Sequence, residues 1–380
     1  MRITGVICEY NPLHRGHLKQ LELIRAKGGN ETGIVCLMSG NFVQRGMPAV
    51  IDKTKRAKAA VMCGADLVLE LPVTAALSSA EGFAAEGIRI LSPCCHRLCF
   101  GAETANDEVL LALAKALLSQ DFSEALRQAL DLGLSFPAAR QRALEAMGLD
   151  GSVLTSPNNI LAVEYCKAIL AQGSCIEPWP IHRAGDYHNT AADLDNPSAT
   201  AVRRLMVEGK EWAQFVPEEA ADCFRGASLH TLKAGERAVL ARLRTMRDEE
   251  FEALPFGSEG LWRKLMHAAR QEASLDAVAE AVKSKRYTRT RIDRMILCAF
   301  LGLTAAELDS PAPWARVLAF NDRGREILKL ARESADLPNL GEKRDHPYQA
   351  IEDRCDALYG LFAENTPEPP DPKYRVYCKR

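Results

Sequence analysis

Over its first hundred residues the chain alternates between two hydrophobic periods. Ile3 to Tyr10 reads as a buried strand, and from Gly16 to Lys27 the residues Leu18, Leu21 and Ile24 recur at the spacing of one helix face. Thr32 to Met38 is strand-like again and stops at Ser39-Gly40. Asp52 predicts the cap of a helix running to about Cys63, and Asp66 to Leu71 a third strand stopped by Pro72. Ser78 or Ser79 caps a helix to about Leu91, and Arg97 to Gly101 forms a fourth strand. Strand and helix in alternation, joined by short connections, predict an α/β fold whose parallel sheet is covered on both faces.

The pattern then changes. Between about Asn106 and Met147 it is helical only, rich in Ala and Leu and broken near 132–137, which predicts a helical insertion at about 105–150. Pro157 to Ala171 reads as a helix with its proline in the first turn, Ile176 to Ile181 as a short extended piece, and Ala199 to Met206 as a helix opening after Ser198. From about Pro217 onward the periodicity is helical with almost no strand signal, so the expected division is 1–215 and 216–380, meeting near Val216-Pro217. A length of 380 residues also fits two domains, or three. Thr366 to Pro372 carries too many prolines for a helix and is expected to be an extended arm.

Composition narrows the partners. A formal charge of -2 excludes polyanion binding by bulk charge, so a nucleic-acid site has to be a local patch, and nothing points to DNA. The longest apolar stretch, Ala59 to Leu77, is interrupted by Asp66 and Glu70, and the N-terminus has no leader pattern; a membrane protein is not expected, and a cytoplasmic enzyme is. The chain has 12 cysteines but no C-x-x-C pair. The Cys94 to Cys99 cluster lacks the usual zinc spacing, and packed or surface thiols are the expectation there, with no metal site.

The chemistry concentrates in Asn11-Pro12-Leu13-His14-Arg15-Gly16-His17, directly after the first strand and opening the first helix. A helix N-terminus offers unpaired N–H groups and partial positive charge, which suits phosphate, and two imidazoles there add ring N–H donors aimed at one ligand. The alternative is a pair of capping histidines with no ligand. The run is not a P-loop, and no G-x-G-x-x-G follows the strand.

His14-x-Gly16-His17 after a first strand resembles the HxGH signature of the nucleotidyltransferase superfamily, and Ser198-Ala199-Thr200-Ala201-Val202-Arg203 resembles its second signature. Glu9-Tyr10-Asn11-Pro12, Met38 to Gly46, Pro157 to Leu161, Tyr187-His188 and Lys285-Arg286-Tyr287-Thr288 with Arg291 are similar to the bacterial tRNA-Met cytidine acetate ligase family. The resemblance implies a Rossmann-like sheet followed by a helical RNA-binding domain. It also implies activation of acetate with ATP and Mg²⁺ to acetyl-adenylate, then acetylation of the wobble cytidine of elongator methionine tRNA. Leu13 and Arg15 stand where the family tends to carry Phe and Asn, Gln20 replaces a histidine, and Arg183 is the match for an arginine shifted by one. Two other readings stay open: adenylylation of a different small substrate, and ATP and RNA binding without catalysis.

The resemblance gives each residue an expected role. His14, His17, Ser198, Thr200 and Arg203 would act on the phosphates as catalytic residues, although Ser198 and Thr200 would serve equally as simple helix caps. The nucleotide would lie along Ile7, Cys8, Glu9, Tyr10, Asn11, Pro12, Leu13, His14, Arg15, Gly16, His17, Leu18, Lys19 and Gln20, with Gly101, Asn158, Asn159 and Arg183 on the adenine or ribose side. Gly101 could also be a strand-end turn and Asn159 a helix-entry residue, and the role of Glu9 is open. Lys283, Lys285, Arg286, Tyr287, Arg289 and Arg291, with Arg294 close by, form a basic run holding one acid, Asp293, and either contact RNA or make a solvated helix face. Ser39 to Pro48 is a candidate lid over the reactive intermediate, or an ordinary long loop.

Overall fold

The alternation closes into one sheet in the computed structural model, which describes residues 1–29, 31–183, 197–365 and 376–379. Its strands in chain order are β1 (Arg2–Cys8), β2 (Thr32–Ser39), the short pair β3 (Phe42–Val43) and β4 (Met47–Pro48), β5 (Leu67–Leu71), β6 (Arg97–Ala102), β7 (Glu177–His182), β8 (Val317–Phe320) and β9 (Tyr377–Cys378). The main sheet runs β7-β6-β1-β2-β5-β8-β9, and β3 and β4 form a separate antiparallel hairpin. From β7 to β5 every pairing is parallel; β8 joins β5 antiparallel.

β2 shows why an unbroken apolar run becomes a central strand. Val35 and Leu37 enter one core while Ile34, Cys36 and Met38 enter the other, and all five are fully buried. A strand buried on both faces has no polar side to alternate with. On one face lie α1 (Arg15–Gly28) and α2 (Lys53–Met62), which is capped by Asp52 as expected; after β5 the single turn α3 (Val73–Ala76) and α4 (Ala80–Leu91), capped by Ser79, pack on the other. The insertion is three helices, α5 (Asp107–Leu117), α6 (Gln120–Asp131) and α7 (Phe136–Ala146), which with α8 (Pro157–Ala171) cover the opposite face. α9 (Ala199–Val207) follows β7.

Beyond it the chain is mostly helical: α10 (Glu218–Phe224), α11 (Leu232–Thr245), α12 (Asp248–Glu252), α13 (Leu261–Gln271), α14 (Leu275–Val282), α15 (Arg289–Leu301), α16 (Ala305–Asp309), α17 (Asp322–Ala331) and α18 (Pro347–Tyr359). The expectation of almost no strand after Pro217 needs correction. β8 and β9 extend the main sheet, so chain from both sides of position 216 shares one sheet. Val317-Leu318-Ala319-Phe320 is too short to outweigh the helical signal around it, and only a free edge on β5 makes it a strand.

A buried ion cluster fastens this second half to the sheet. Lys53 Nζ reaches Glu70 at 2.9 Å and Asp356 at 2.6 Å, and Arg316 Nε reaches Glu70 at 2.9 Å. The Glu352 carboxyl is pushed up to about 7 by burial, against the pull of Arg316. Burial raises Asp356 too, but Lys53 and Arg316 outweigh it and hold that carboxyl low. The proline-rich arm at 366–372 lies outside the described residues.

Candidate active site

Strand order reverses beside β1: β2 and β5 follow on one side, β6 and β7 on the other. Open α/β sheets bind ligands at the carboxyl ends of strands where the order reverses. The turn from β1 into α1 lies there. Tyr10 has a left-handed backbone (φ +44°), the Asn11–Pro12 peptide is cis, and Leu13 is fully buried. His14 then caps α1.

The two imidazoles form a reciprocal box. Gly16 N–H donates to His14 Nδ1 at 3.1 Å, and His14 N–H donates to His17 Nδ1 at 3.2 Å. Their rings stack with centroids 3.7 Å apart. With both Nδ1 atoms accepting, the hydrogen-bond pattern assigns the proton of each neutral ring to Nε2. Burial, helped by Arg183 and Arg203, lowers His14 to about 3; burial, helped by His14 and Arg183, puts His17 well below its usual range. Both rings are therefore neutral Nε2–H donors near pH 7. His14 Nε2 is buried with no partner among the described residues. The capping and ligand-binding readings are thus not alternatives, since Nδ1 caps the helix and Nε2 is left for something else.

The second signature meets the first. Ser198 Oγ accepts from Ala201 N–H at 3.1 Å and caps α9. Arg203 donates to Thr200 Oγ1 at 3.0 Å and to the Asn11 carbonyl at 2.6 Å. Arg183, at the end of β7, donates to Asn158 Oδ1 at 3.3 Å, and Asn158 donates to Glu103 at 2.7 Å. Asn159 is buried and committed to the loop after β6: it accepts from Thr104 N–H at 2.9 Å and its own N–H goes to Glu103 at 3.0 Å. At Gly101 a Cβ would meet only the Arg183 side chain, at an ordinary 3.5 Å, so the protein's own packing does not demand glycine there.

The run from Ile7 to Gln20 divides. Tyr10 and Leu13 turn their side chains into the core and could meet a ligand only through backbone. Cys8 is packed near Cys36, and burial pushes its thiol well up. Ile7 packs against the opposite core, and Leu18 against the core on the α1 face. Arg15 and Lys19 are exposed on α1, and Gln20 Nε2 donates to the Cys99 carbonyl at 3.4 Å. Glu9 Oε1 accepts from Gln44 N–H at 3.1 Å.

Sequence reasoning missed two supports. Arg56, fully buried, donates to the backbone carbonyls of Ile51 at 2.8 Å, Glu9 at 2.6 Å, Ser39 at 3.1 Å and Gly40, so one guanidinium ties the ends of β1 and β2. Its signal was a basic residue on the same helix face as Ala57 and Ala60. Glu103, holding both Asn158 and Asn159, had only its place after a strand to mark it.

The remaining candidates acquire a three-dimensional setting. The candidate lid is the β3–β4 hairpin, and Phe42 and Val43 are buried, with Phe42 packed against Tyr359 and Phe362. Folding adds acids from outside the basic run to its own Asp293. Arg286 pairs with Glu259, Arg289 with Asp276, Glu280 and Asp293, and Lys283 with Glu280. Arg291 donates to the Phe256 carbonyl at 2.7 Å and lies over the Tyr287 ring at 5.2 Å, while Lys285 is exposed. Cys94, Cys95 and Cys99 are packed thiols, and His96 Nδ1 accepts from Ile3 N–H at 3.1 Å. Tyr187-His188 lies outside the described residues.

Residues 1–369 match the model of the HIGH Nucleotidyl Transferase family. The chain is 34% identical to the tRNA(Met) cytidine acetate ligase of Clostridium acetobutylicum over 92% of each chain, and 37% identical to that of Clostridium tetani over 90% of each. Among solved structures it is similar to Thermotoga maritima TmcAL, at 32% identity over the whole of both chains. The TM-score is 0.91 for the apo form and 0.87 for the form bound with alpha-thio ATP.

Proposed function

The chain belongs to the tRNA(Met) cytidine acetate ligase family within the HIGH nucleotidyl transferases, and from that premise we propose the following reaction. The protein uses ATP to activate acetate as acetyl-adenylate, with release of pyrophosphate. The acetyl group then passes to the exocyclic amine of the wobble cytidine of elongator methionine tRNA, with AMP as the leaving group.

The observation that carries this reading is the unpartnered Nε2 of buried His14, stacked on His17 at a helix N-terminus. Attack of a carboxylate on the α-phosphorus builds negative charge on the phosphoryl oxygens and on departing pyrophosphate. Neutral donors already fixed by their Nδ1 caps stabilise that charge without reorganising. The start of α9 and Arg203 add N–H groups and positive charge, and Arg183 with Asn158 suits the nucleoside side. The alpha-thio ATP bound by the Thermotoga relative supports ATP as the ligand. Among the described residues no group of three or more His, Cys, Asp or Glu is arranged to hold a metal. Mg²⁺ would be carried by the ATP triphosphate and would supply further positive charge to its phosphates.

For tRNA, the same six residues from Lys283 to Arg291 remain the proposed contact. Tyr287 offers a ring for stacking, and RNA phosphates would replace the acids that now pair the arginines. No helix among the described residues is long and apolar enough to cross a membrane, which agrees with a proposed cytoplasmic setting. The test is incubation with ATP, labelled acetate and total bacterial tRNA, followed by nucleoside analysis. Label in 4-acetylcytidine is expected, and its absence would overturn the proposal.

A further inference from the structure

Arg294 belongs by sequence to the basic run, yet its side chain points elsewhere. It is half-buried, lies over the Phe256 ring at 5.0 Å and forms no ion pair among the described residues; its neighbour Asp293 is taken by Arg289. Its Nε is buried without a partner among the described residues, and burial lowers its pKa. A desolvated, unpaired cation is a poor way to stabilise a helix, since an apolar side chain of similar length would fill the space without an unmade hydrogen bond. What Arg294 does touch is the hairpin: Nη1 donates to the Gln44 carbonyl at 3.3 Å.

Residue 44 is a junction. Its N–H holds Glu9 Oε1 at 3.1 Å while its carbonyl is held by Arg294. Two residues on, Gly46 (φ +76°) lies so close to α15 that a Cβ would stand 2.4 Å from the Arg294 nitrogen and 2.5 Å from the Asp293 carbonyl carbon. Only glycine allows that approach. The hairpin is therefore wedged between α15 and the strand end that leads into the His14 turn. We propose that Arg294 is a positioning residue for the nucleotide site, acting through the Gln44 peptide on the Glu9 carboxylate, and is not an RNA contact. The proposal rests on the ATP and acetate reading above.

The experiment compares Arg294→Met, Arg294→Lys and Gly46→Ala with the unmodified protein in two assays: acetate-dependent exchange of pyrophosphate into ATP, and tRNA binding across a salt series. Arg294→Met removes the hydrogen bond, whereas Gly46→Ala forces the hairpin off α15 with the guanidinium intact. Both are expected to lower kcat of the exchange at least tenfold, to leave KM for ATP within about threefold, and to leave the tRNA affinity and its salt dependence unchanged; Arg294→Lys restores part of the rate. Thermal melting confirms that both variants fold, and should Gly46→Ala not fold, the Met and Lys pair decides alone. Exchange within twofold of the unmodified protein in Arg294→Met would overturn the inference, as would weakened tRNA binding with exchange intact. An unmodified protein that shows no acetate-dependent exchange would overturn both the inference and the reading beneath it.

Discussion

The guanidinium of Arg203 donates to the backbone carbonyl of Asn11 at 2.6 Å, joining two stretches of chain that lie 192 residues apart. The second signature thereby clamps the turn that presents the first. Replacing Arg203 with Met should cost about 1–3 kcal/mol of stability, the usual worth of a charged hydrogen bond, and slow acetate-dependent pyrophosphate exchange by roughly 10²–10³. Exchange kinetics beside a denaturant titration would check this; a near-normal rate would show that the clamp does not serve catalysis.

His14 does two jobs with two nitrogens, and they separate by substitution. Asparagine is itself a good N-cap, so His14→Asn should keep the fold to within about 2 kcal/mol while losing the Nε2 donor. Exchange activity should fall roughly 10²–10³-fold. His14→Ala loses cap and donor together and should be less stable than His14→Asn by about 1 kcal/mol. If the asparagine variant keeps full activity, the Nε2 position has no part in the reaction.

The two imidazoles also predict a pH dependence of stability. His14 titrates at about 3 in the folded chain, against 6.5 for a free imidazole, and His17 is lowered as well. Between those limits the unfolded chain takes up the protons, so this stabilisation is complete above pH 6.5 and is lost as pH falls. The slope is about 1.4 kcal/mol per pH unit for each ring. Denaturant midpoints of His17→Gln should fall less steeply than those of the unmodified protein from pH 6 to pH 4.5. Parallel curves would mean that His17 is charged in the folded state.

Glu352 carries the opposite sign. Its carboxyl is raised from 4.5 to about 7, so the stability that its neutral form provides is present below pH 4.5 and lost as pH rises through 7. Glu352→Gln keeps an acceptor for Trp314 Nε1, which donates to this side chain at 3.0 Å. Relative to the unmodified protein the variant should gain stability from pH 5 to pH 8, an advantage on the order of 1–3 kcal/mol. A pH-independent difference would place the charged form in the cluster throughout.

In the basic run, the acids brought in by folding set the expectation. Glu259 holds both Arg286 and the Tyr287 hydroxyl, so Glu259→Gln should tighten tRNA binding at low salt and steepen its salt dependence, while Arg286→Ala should weaken binding less than tenfold. Filter binding across a salt series reads both. Unaltered binding in both variants would place the RNA elsewhere.

Much of the fold was legible because it is local. Asp52, Ser79 and Pro157 mark helix starts through hydrogen bonds and dihedral limits acting within a few residues, and the apolar run from Ile34 to Met38 needs only the rule that a doubly covered strand has no polar face. His14 and His17 were visible as well, for they sit three apart at a strand-to-helix turn. What the rings do was not visible, because their protonation follows from burial and from Arg183 and Arg203, which arrive from far along the chain. Val317 to Phe320 became a strand only when β5 offered an edge, and the basic run lost most of its unpaired charge only when α14 and the loop at Glu259 were folded against it. Short-range sterics and hydrogen bonds are written in neighbouring residues. Coulomb energy and desolvation depend on distances through space, and those exist only once the chain has folded.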